Sequence, residues 1–426
     1  MKVYLDTIGC RLNQAEIERM AREFRAAGHE LVASPEEADL AVVNTCAVTA
    51  HAVSDSRQRI RRLARAGAKR VVATGCWATL EPAQAAALPA VEAVVPNPQK
   101  DALVSAVLGL PPEAFDLEPI AREPIPGSRA RTRAFIKVQD GCDNRCTFCI
   151  TTIARGPGRS RTVAEVLADI RAAHRGGAQE VVLTGVHLGS WGQDFTPRQH
   201  LRDLVQAVLQ ETDVPRVRLS SLEPWDLDAD FFGLWENPRL ARHLHLPLQS
   251  GSAATLRRMA RKTTPEAFAR LVETARSLIP EVAITTDVIA GFPGETEEEF
   301  AETLAFVEAM HFAGGHVFTY SERPGTAAAR MPNPVPLDVR KARNAALRKV
   351  LETSAARYRQ QFVGRTLTVL WESAEALPEG GFLLRGMSDN GLRVQAQAPE
   401  RWWNRLMQVH ITGEQAGSLT GRIVTR

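Results

Sequence analysis

The sequence predicts an α/β protein made of an amino-terminal parallel sheet, a central partial barrel of the TIM type and a small carboxyl-terminal β-barrel. Two series of apolar runs that alternate with helical patterns predict the first two parts, because such alternation is typical of parallel sheets covered by helices. Five short runs broken by Gly, Pro, Asp and Asn predict the third. The expected boundaries are 1–110, 111–130 for a linker, 131–362 and 363–426.

The composition is that of an ordinary soluble protein and excludes several classes. The 426 residues are 44% apolar and 24% charged, which argues against disordered and fibrous chains and exceeds what one compact core needs. No apolar run approaches the roughly 18–20 residues of a membrane helix. The start, MKVYLDTIGC, lacks the regions of a signal peptide, so we expect a cytoplasmic protein without a membrane segment.

Three cysteines follow the strands predicted for the amino-terminal part. The runs KVYLDTIG, ADLAVVNTC and KRVVATGC end at Cys10, Cys46 and Cys76, and VEAVVPN closes the series. Helical patterns such as NQAEIERMAREFRAAG and SDSRQRIRRLARAG separate them. Right-handed crossovers between parallel strands bring the three thiols to the carboxyl edge of one sheet, where such folds bind ligands. The alternative is three unrelated buried thiols.

The rest of the chain is read in the same way. Residues 110–130 are rich in proline and lack periodicity, which predicts a linker. The runs RAFIKVQ, EVVLTG, RVRLSS, HLHLPLQ, VAITTDVIAG and GGHVFTYS follow, separated by helical patterns, and predict the barrel with its chemistry at the strand carboxyl ends. After a helix at 337–361, the runs LTVLWES, GGFLLRG, LRVQA, LMQVHITGEQ and LTGRIVT predict an OB-like barrel.

A second cysteine triplet carries the clearest chemistry. The run DGCDNRCTFCI places Cys142, Cys146 and Cys149 at C-x3-C-x2-C spacing directly after a strand. A closed zinc site needs a fourth ligand, and no histidine stands at finger-like spacing. Three thiolates instead suit three irons of a 4Fe–4S cluster whose fourth iron stays open for a small molecule. The alternative is a metal site that only stabilises the fold.

This motif is that of the radical S-adenosylmethionine enzymes, and with the surrounding residues the chain resembles the methylthiotransferase family over nearly its whole length. The resemblance implies that Cys142, Cys146 and Cys149 bind a 4Fe–4S cluster whose open iron chelates S-adenosylmethionine. It implies that a second 4Fe–4S cluster is bound at the family's GC, NTC and TGC positions, which are Cys10, Cys46 and Cys76. It further implies that the central domain is a radical S-adenosylmethionine barrel and the carboxyl-terminal one an RNA-binding TRAM domain.

Further motifs of the family follow predicted barrel strands. They are TGVHLG, RLSSLEP, HLPLQSGS and DVIAGFPGETEEEF. The family resemblance implies that six residues of these motifs, together with Phe148 of the cysteine motif, lie near S-adenosylmethionine. The six residues are Thr184, Gly185, Glu223, Gln249, Asp287 and Gly291. The two glycines would also let backbone approach a ligand closely.

The substrate branch is read from local motifs. The family modifies isopentenyladenosine in tRNA, N6-threonylcarbamoyladenosine in tRNA or an aspartate of a ribosomal protein. TIGCRLNQAE, NTCAVTAHAVSDSRQ, ARGPGRSR and HVFTYSERPGTAAARM resemble the threonylcarbamoyladenosine branch most. This implies methylthiolation of adenine C2 at position 37, in the anticodon loop of tRNA, with electrons from a small electron-transfer protein.

Basic runs favour an anionic partner such as RNA. The arginines that flank the predicted barrel mouth are candidates for phosphate contacts: Arg129, Arg131, Arg133, Arg155, Arg159 and Arg161. Trp371, Trp402 and Trp403 are candidates for base stacking, with core packing as the alternative. Two other classes stay open, an iron–sulfur electron carrier and a zinc-stabilised RNA-binding protein without activity.

Overall fold

The computed structural model describes residues 1–111, 115 and 132–424. Its contacts divide the chain into two compact units, the first of 1–176, 183–199 and 321–329 and the second of 177–182, 200–320 and 330–426. Of the predicted linker at 111–130, only residues 111 and 115 are described. The candidates Arg129 and Arg131 lie outside the described residues. The borders of these two units differ from the expected domain boundaries. The expected boundaries therefore stay predictions.

The first unit begins with the predicted parallel sheet, which is confirmed. Its strands run side by side in the order β2-β1-β3-β4-β5, and every pair is parallel. The strands are β1 (Lys2–Thr7), β2 (Glu30–Leu31), β3 (Leu40–Thr45), β4 (Val71–Gly75) and β5 (Val91–Val95). The helices are α1 (Arg11–Ala26), α2 (Ala50–Arg65), α3 (Cys76–Leu80), α4 (Pro82–Ala86) and α5 (Leu103–Leu108).

Burial explains why these segments fold as they do. Every residue of β3 and β4 is buried, as expected for central strands covered on both faces. Helix α1 places Ile17, Met20 and Phe24 on one face, and they pack into the core with β1 and β3. Thr49 caps α2 because its side chain accepts the amide of Ala52 at 3.1 Å.

The rest of the first unit carries the second cysteine triplet. It contains β6 (Arg133–Lys137), β7 (Gln139–Asp140), α6 (Thr151–Arg155), β8 (Arg159–Ser160), α7 (Val163–Arg175) and the end of β9 (Glu180–Thr184). Strands β7 and β8 form a small antiparallel pair that the sequence did not predict. The backbone from 141 to 149 lies between β7 and α6 without regular structure, and Cys142, Cys146 and Cys149 lie on it.

The second unit contains the remaining predicted strands and helices. The strands of its α/β part are β10 (Arg216–Leu219), β11 (His243–His245), β12 (Ala283–Ala290) and β13 (Gly314–Thr319), of which β11, β12 and β13 form a parallel sheet. The helices are α8 (Leu201–Glu211), α9 (Ala229–Phe232), α10 (Ala253–Arg258), α11 (Pro265–Leu278), α12 (Glu297–Ala309) and α13 (Leu337–Gln360). No helix in the described parts of the chain has the length and apolarity to cross a membrane.

The predicted carboxyl-terminal β-barrel is confirmed. Its strands β14 (Thr366–Ala376), β15 (Phe382–Ser388), β16 (Arg393–Ala398), β17 (Leu406–Gln415) and β18 (Ser418–Ile423) close in the order β14-β15-β16-β18-β17. Trp371 is fully buried in its core and is not available for stacking. Arg216 and Arg218 of β10 donate to barrel carbonyls, including that of Ser388 at 3.1 Å, so the barrel is tied to β10 within this unit.

Candidate functional site

The first group of thiols lies at the carboxyl ends of β1, β3 and β4. Cys10 is exposed at the start of α1, whereas Cys46 and Cys76 are buried. Gly9 has a φ of 101°, and a Cβ there would lie 2.7 Å from the sulfur of Cys46. Glycine is therefore required at this point, where the chain after β1 approaches the chain after β3. The predicted convergence at one sheet edge is therefore what the backbone shows.

The protein environment makes Cys10 and Cys46 hard to ionise without a partner. Burial, together with the neighbouring Cys10 and Cys76, raises the pKa of Cys46 to about 11. Although Cys10 as a residue is exposed, partial burial of its sulfur beside Asn13 raises the pKa of the thiol, and the positive charge of Arg155 opposes that rise. Thiolates at this edge thus need a positively charged group or a metal to compensate them.

The second group lies on the loop between β7 and α6. The sulfur of Cys142 accepts the amide of Asn144 at 3.4 Å, and the amide of Cys149 donates to the carbonyl of Cys146 at 3.0 Å. Gly141 has a φ of 70°, and a side chain there would collide with the carbonyl of Pro157. The loop is therefore folded tightly against the turn that follows α6, which fixes where the three thiols stand.

Gln139, on β7, supports the loop of residues 141–149, which we call the cluster loop because it carries the cysteines of the predicted cluster motif. Its side-chain amide donates to the carbonyls of Asp140 and Gly141 at 2.9 and 2.8 Å. Its carbonyl oxygen accepts the amide of His187 at 2.9 Å. A Cβ on Gly185 would lie 2.8 Å from that oxygen, so the glycine of the TGV motif makes room for Gln139 of the same unit.

The donor sets can be tested against the group that the motif implies. Among the residues that the structure describes, no three His, Cys, Asp or Glu side chains converge on a point where one metal ion could sit. A 4Fe–4S cluster requires less convergence, because each thiolate binds a different iron. Two triplets of thiols without a fourth donor therefore fit clusters with an open iron better than they fit a closed zinc site.

A buried charge network joins the two cysteine groups within the first unit. Glu16, on α1, receives Lys100 Nζ at 2.8 Å and Arg155 Nη1 at 2.8 Å, and Arg155 Nη1 also reaches Asp140 at 2.8 Å. Burial alone would raise the pKa of Glu16, but Arg155, Lys100 and Lys137 outweigh it and hold that pKa well below its usual range. Burial would also raise the pKa of Asp140, but Lys137 and Arg155 lower it to about 2.

The network overturns one expectation and reveals residues that the sequence reasoning missed. Arg155 is 1% exposed and enclosed by carboxylates, which does not support its predicted phosphate contact. Glu16 and Asn13 were missed, although their spacing from Cys10 puts all three near one face of α1. A carboxylate six residues after a cysteine, on a helix whose other core-facing residues are mostly apolar, was the available signal.

The other arginine candidates differ in availability. Arg159 is half-exposed, and its guanidinium lies 3.9 Å from Asp140. Arg161 is mostly buried, and its guanidinium lies 2.6 Å from the carboxylate of Asp169. Arg22 contacts the same carboxylate at 3.0 Å. Arg133 is partly buried on β6.

The predicted cofactor residues take up positions in both units. In the first unit Phe148 is partly buried on the cluster loop and Thr184 is buried at the end of β9. In the second unit Glu223 receives both guanidinium nitrogens of Arg261, at 3.1 and 2.6 Å. Gln249 follows β11 with a φ of 71° and donates its amide to the carbonyl of Asp287 at 2.8 Å.

Contacts within the protein explain why position 291 is a glycine. Its φ is 74°, and a Cβ there would collide with the side chain of Arg340. Its amide donates to Glu295 at 2.9 Å. These contacts account for the glycine at this position without any close approach to a ligand.

Asp287 is the centre of a polar cluster on one face of the β11–β13 sheet. Its two carboxylate oxygens accept hydrogen bonds from His245 and His316, each at 3.2 Å. Burial would raise the pKa of Asp287, but the two imidazoles lower it below its usual range. Leu244, Val288 and other residues of the opposite face are fully buried, whereas the polar face keeps solvent access.

Comparison with known proteins defines the class first. Residues 136–307 match the model of the radical SAM superfamily, and residues 2–96 match a model described as "Uncharacterized protein family UPF0004". Among solved structures, the radical S-adenosylmethionine methyltransferase TsrM from Kitasatospora setae has a TM-score of 0.59 with 17% identity, covering 77% of each chain. This likeness shows the fold. The chain is a radical S-adenosylmethionine enzyme and, as such, binds S-adenosylmethionine and a 4Fe–4S cluster.

Curated relatives define the family. The threonylcarbamoyladenosine tRNA methylthiotransferase MtaB of Bacillus subtilis is 35% identical over 96% of this chain and 93% of its own length. The protein of the same name from Thermotoga maritima is 37% identical over 87% and 86%. The tRNA-2-methylthio-N(6)-dimethylallyladenosine synthase of Staphylococcus haemolyticus is 32% identical over 98% and 84%. The chain belongs to the radical S-adenosylmethionine methylthiotransferase family.

Proposed function

We propose that this enzyme methylthiolates C2 of N6-threonylcarbamoyladenosine at position 37 of tRNA. The observation that carries the proposal is full-length similarity to two relatives whose names state this activity, at 35% and 37% identity. Relatives named for dimethylallyladenosine, at 31–34% identity, make the isopentenyl branch the second candidate. A substrate of this kind makes the cytoplasm the expected location.

The two thiol groups hold separate 4Fe–4S clusters. Cys142, Cys146 and Cys149 leave one iron open for S-adenosylmethionine, and the group at the sheet edge, Cys10, Cys46 and Cys76, holds the sulfur-donating cluster. A 4Fe–4S cluster held by Cys142, Cys146 and Cys149 and reduced by a small electron-transfer protein would supply the one electron needed to cleave S-adenosylmethionine to methionine and a 5′-deoxyadenosyl radical.

The protein's own residues bind, orient and shield these groups. The tight loop after Gly141 fixes the first three thiols, and Gln139 holds that loop against His187. Phe148, Thr184, Gly185, Glu223, Gln249, Asp287 and Gly291 are the proposed binding residues for S-adenosylmethionine. Arg261 fixes the carboxylate of Glu223 in orientation, since it donates two parallel hydrogen bonds to it.

The polar face of the β11–β13 sheet favours the threonylcarbamoyl branch. His245 and His316 both bond Asp287, and the side chain of His316 is 74% exposed. The two imidazoles of this face suit an N6 substituent that carries a hydroxyl and a carboxylate, because their N–H groups can donate to either. An isopentenyl group would offer these polar groups no hydrogen bond.

Recognition of tRNA requires the target base to leave its stack, because C2 lies on the edge of adenine that faces the minor groove. Arg159 is the half-exposed arginine beside the cluster loop and is the preferred phosphate contact; Arg129, Arg131, Arg133 and Arg161 complete the proposed set. On the carboxyl-terminal barrel, Trp402 lines an open groove of about 760 Å³ together with Gln395, Thr420 and Arg422. This groove is the candidate surface for unpaired nucleotides.

The decisive experiment is mass spectrometry of tRNA nucleosides from cells with and without the gene. Loss of the 2-methylthio form of N6-threonylcarbamoyladenosine, with accumulation of its precursor, is the expected result. An unchanged level of that nucleoside would contradict the proposed substrate. Loss of 2-methylthio-isopentenyladenosine instead would assign the second branch, and loss of a methylthiolated ribosomal aspartate the third.

The division of labour between the thiols has its own test. Cys146→Ala should abolish formation of 5′-deoxyadenosine from S-adenosylmethionine, because the cluster with the open iron loses a ligand. Cys46→Ala should retain this cleavage and yield no methylthiolated tRNA. Equal loss of cleavage in two folded variants would refute the assignment of separate sites.

A further inference from the structure

Arg155 stands between the two cysteine groups, and the proposed function gives it no task. It is the last residue of α6, the helix that starts two residues after Cys149. Its guanidinium is 1% exposed and donates to Glu16 and Asp140 at 2.8 Å each and to the side-chain oxygen of Asn13 at 2.7 Å. One rigid side chain is therefore fixed to α1 and to β7 at once.

Two asparagines extend this connection to the thiols at the sheet edge. Asn13 accepts Arg155 Nη2, and the same side-chain oxygen lies 3.6 Å from the sulfur of Cys10. Asn97 donates to the carbonyl of Ala154 at 2.8 Å and lies 3.6 Å from the sulfur of Cys76. Consecutive residues at the end of α6 thus reach two different thiols, each through one amide side chain.

Among the fully buried charged side chains around Arg155, cations outnumber carboxylates. Three cations, Lys100, Lys137 and Arg155, are buried with two carboxylates, Glu16 and Asp140, and none of the five side chains is more than 9% exposed. Asp101 also contacts Lys137, but its side chain is 52% exposed and its charge is screened by solvent. A buried cation requires an anion nearby, and Asp101 meets this requirement for Lys137 only from the solvent-exposed edge of the group.

The sheet-edge thiols are the anionic partners that the surroundings offer. Burial lowers the pKa of the Arg155 guanidinium, but nearby negative charge, that of Glu16 first and then that of Cys76, Asp140 and Cys10, raises it well above its usual range. An iron–sulfur cluster with thiolate ligands carries net negative charge and gains more of it on reduction. A fixed cation at this place therefore favours both its binding and its reduced form.

We propose that Arg155 is a positioning residue that ties the amino-terminal cysteine group to the cluster loop and supplies the buried positive charge that the cluster on Cys10, Cys46 and Cys76 requires. The inference rests on the proposed function, because it needs a cluster at the sheet edge. It gives a reason for the arginine in the run ARGPGRSR that RNA contact does not provide.

The test uses the full chain with Cys142, Cys146 and Cys149 replaced by Ser, so that only the sheet-edge group can hold a cluster. After anaerobic reconstitution with iron and sulfide, iron per chain and the midpoint potential are measured, the latter by redox titration followed by electron paramagnetic resonance. Arg155→Gln should lower iron occupancy and move the potential to a more negative value. Arg155→Lys, which keeps the charge, should restore at least half of that shift.

A second variant, expected to shift the midpoint potential in the opposite direction, tests the proposal if Arg155→Gln does not fold. Glu16→Gln removes a negative charge with little change in volume and should move the potential to a more positive value. Arg218→Gln is the matched control, because Arg218 is equally buried and bonds Glu180 in the second unit without a thiol among its contacts. It should leave iron content and potential unchanged.

The outcomes separate the inference from the proposed function. No bound iron in the parent chain would end the cluster proposal and the inference with it. A cluster whose potential is the same in the parent, Arg155→Gln and Glu16→Gln would overturn the role of Arg155 alone. An equal shift in the Arg218→Gln control would do so too, since general destabilisation would then explain the effect.

Discussion

Glu180 holds together the second unit at the junction of β10 and the carboxyl-terminal barrel, and replacing it with Gln tests that junction. Glu180 bonds Arg218 at 2.7 and 3.2 Å and Arg216 at 3.4 Å, and all three side chains are at most 5% exposed. The two arginines in turn donate to carbonyls of the barrel. Glutamine has nearly the same shape, so the substitution removes the charge and one acceptor while the packing stays.

The magnitude follows from burial. Removing one partner of a buried ion pair costs about 3–5 kcal/mol, because it leaves the remaining charge without compensation. At about 1.4 kcal/mol for each factor of ten, opening of the barrel strands should become roughly 100- to 4,000-fold more frequent. Glu375→Gln is the control in the same barrel, since Glu375 and Arg385 are 63% and 51% exposed. Breaking an exposed pair costs about 0–1 kcal/mol, which is at most about fivefold.

Hydrogen exchange of the backbone amides measures this opening directly. Peptides that span β15 and β16 should lose protection in Glu180→Gln and keep it in Glu375→Gln. A loss of less than tenfold in Glu180→Gln, or equal losses in the two variants, would refute the argument. The barrel would then be held to β10 by apolar packing and not by the buried charges.

Three other substitutions test the site. Gly75→Ala should reduce iron bound by the amino-terminal cysteine group, because a Cβ there would meet a carbonyl of the neighbouring strand; Gly67→Ala, at a similar φ but in open space, should leave iron content unchanged. Arg159→Ala should weaken tRNA binding and reduce its logarithmic salt slope by about one, whereas Arg161→Ala should change the slope less, which filter binding at several salt concentrations would show. His316→Ala should raise the KM for tRNA with threonylcarbamoyladenosine about tenfold without changing 5′-deoxyadenosine formation in the absence of tRNA; an unchanged KM would remove the argument for the branch.

Local patterns were sufficient to predict the fold. The apolar runs that end at Cys10, Cys46 and Cys76 became neighbouring parallel strands, because periodicity and the handedness of crossovers leave few other topologies. The five short runs near the carboxyl end became a closed barrel for the same reason. These features depend on residues that are close in sequence, and one chain contains that information.

The partners of single charged residues depend on contacts far apart in sequence, and there prediction was weaker. Arg155 stands in a basic run next to exposed arginines, so sequence reasoning gave it their expected role. Its partner Glu16 is 139 positions away and is itself buried on a helix whose other buried residues are mostly apolar. Only the tertiary structure brings them together.

The location of that pair argues that it serves more than stability. A buried ion pair between two elements is often no better for stability than apolar packing of the same volume. Here the pair lies where α1, β7 and the helix after the cluster loop meet, and its two asparagine neighbours reach Cys10 and Cys76. Apolar residues would pack equally well at this point, but they would give neither a fixed charge nor a directional connection to the thiols. The charged cluster is therefore best understood as the part of the fold that sets one cysteine group in register with the other.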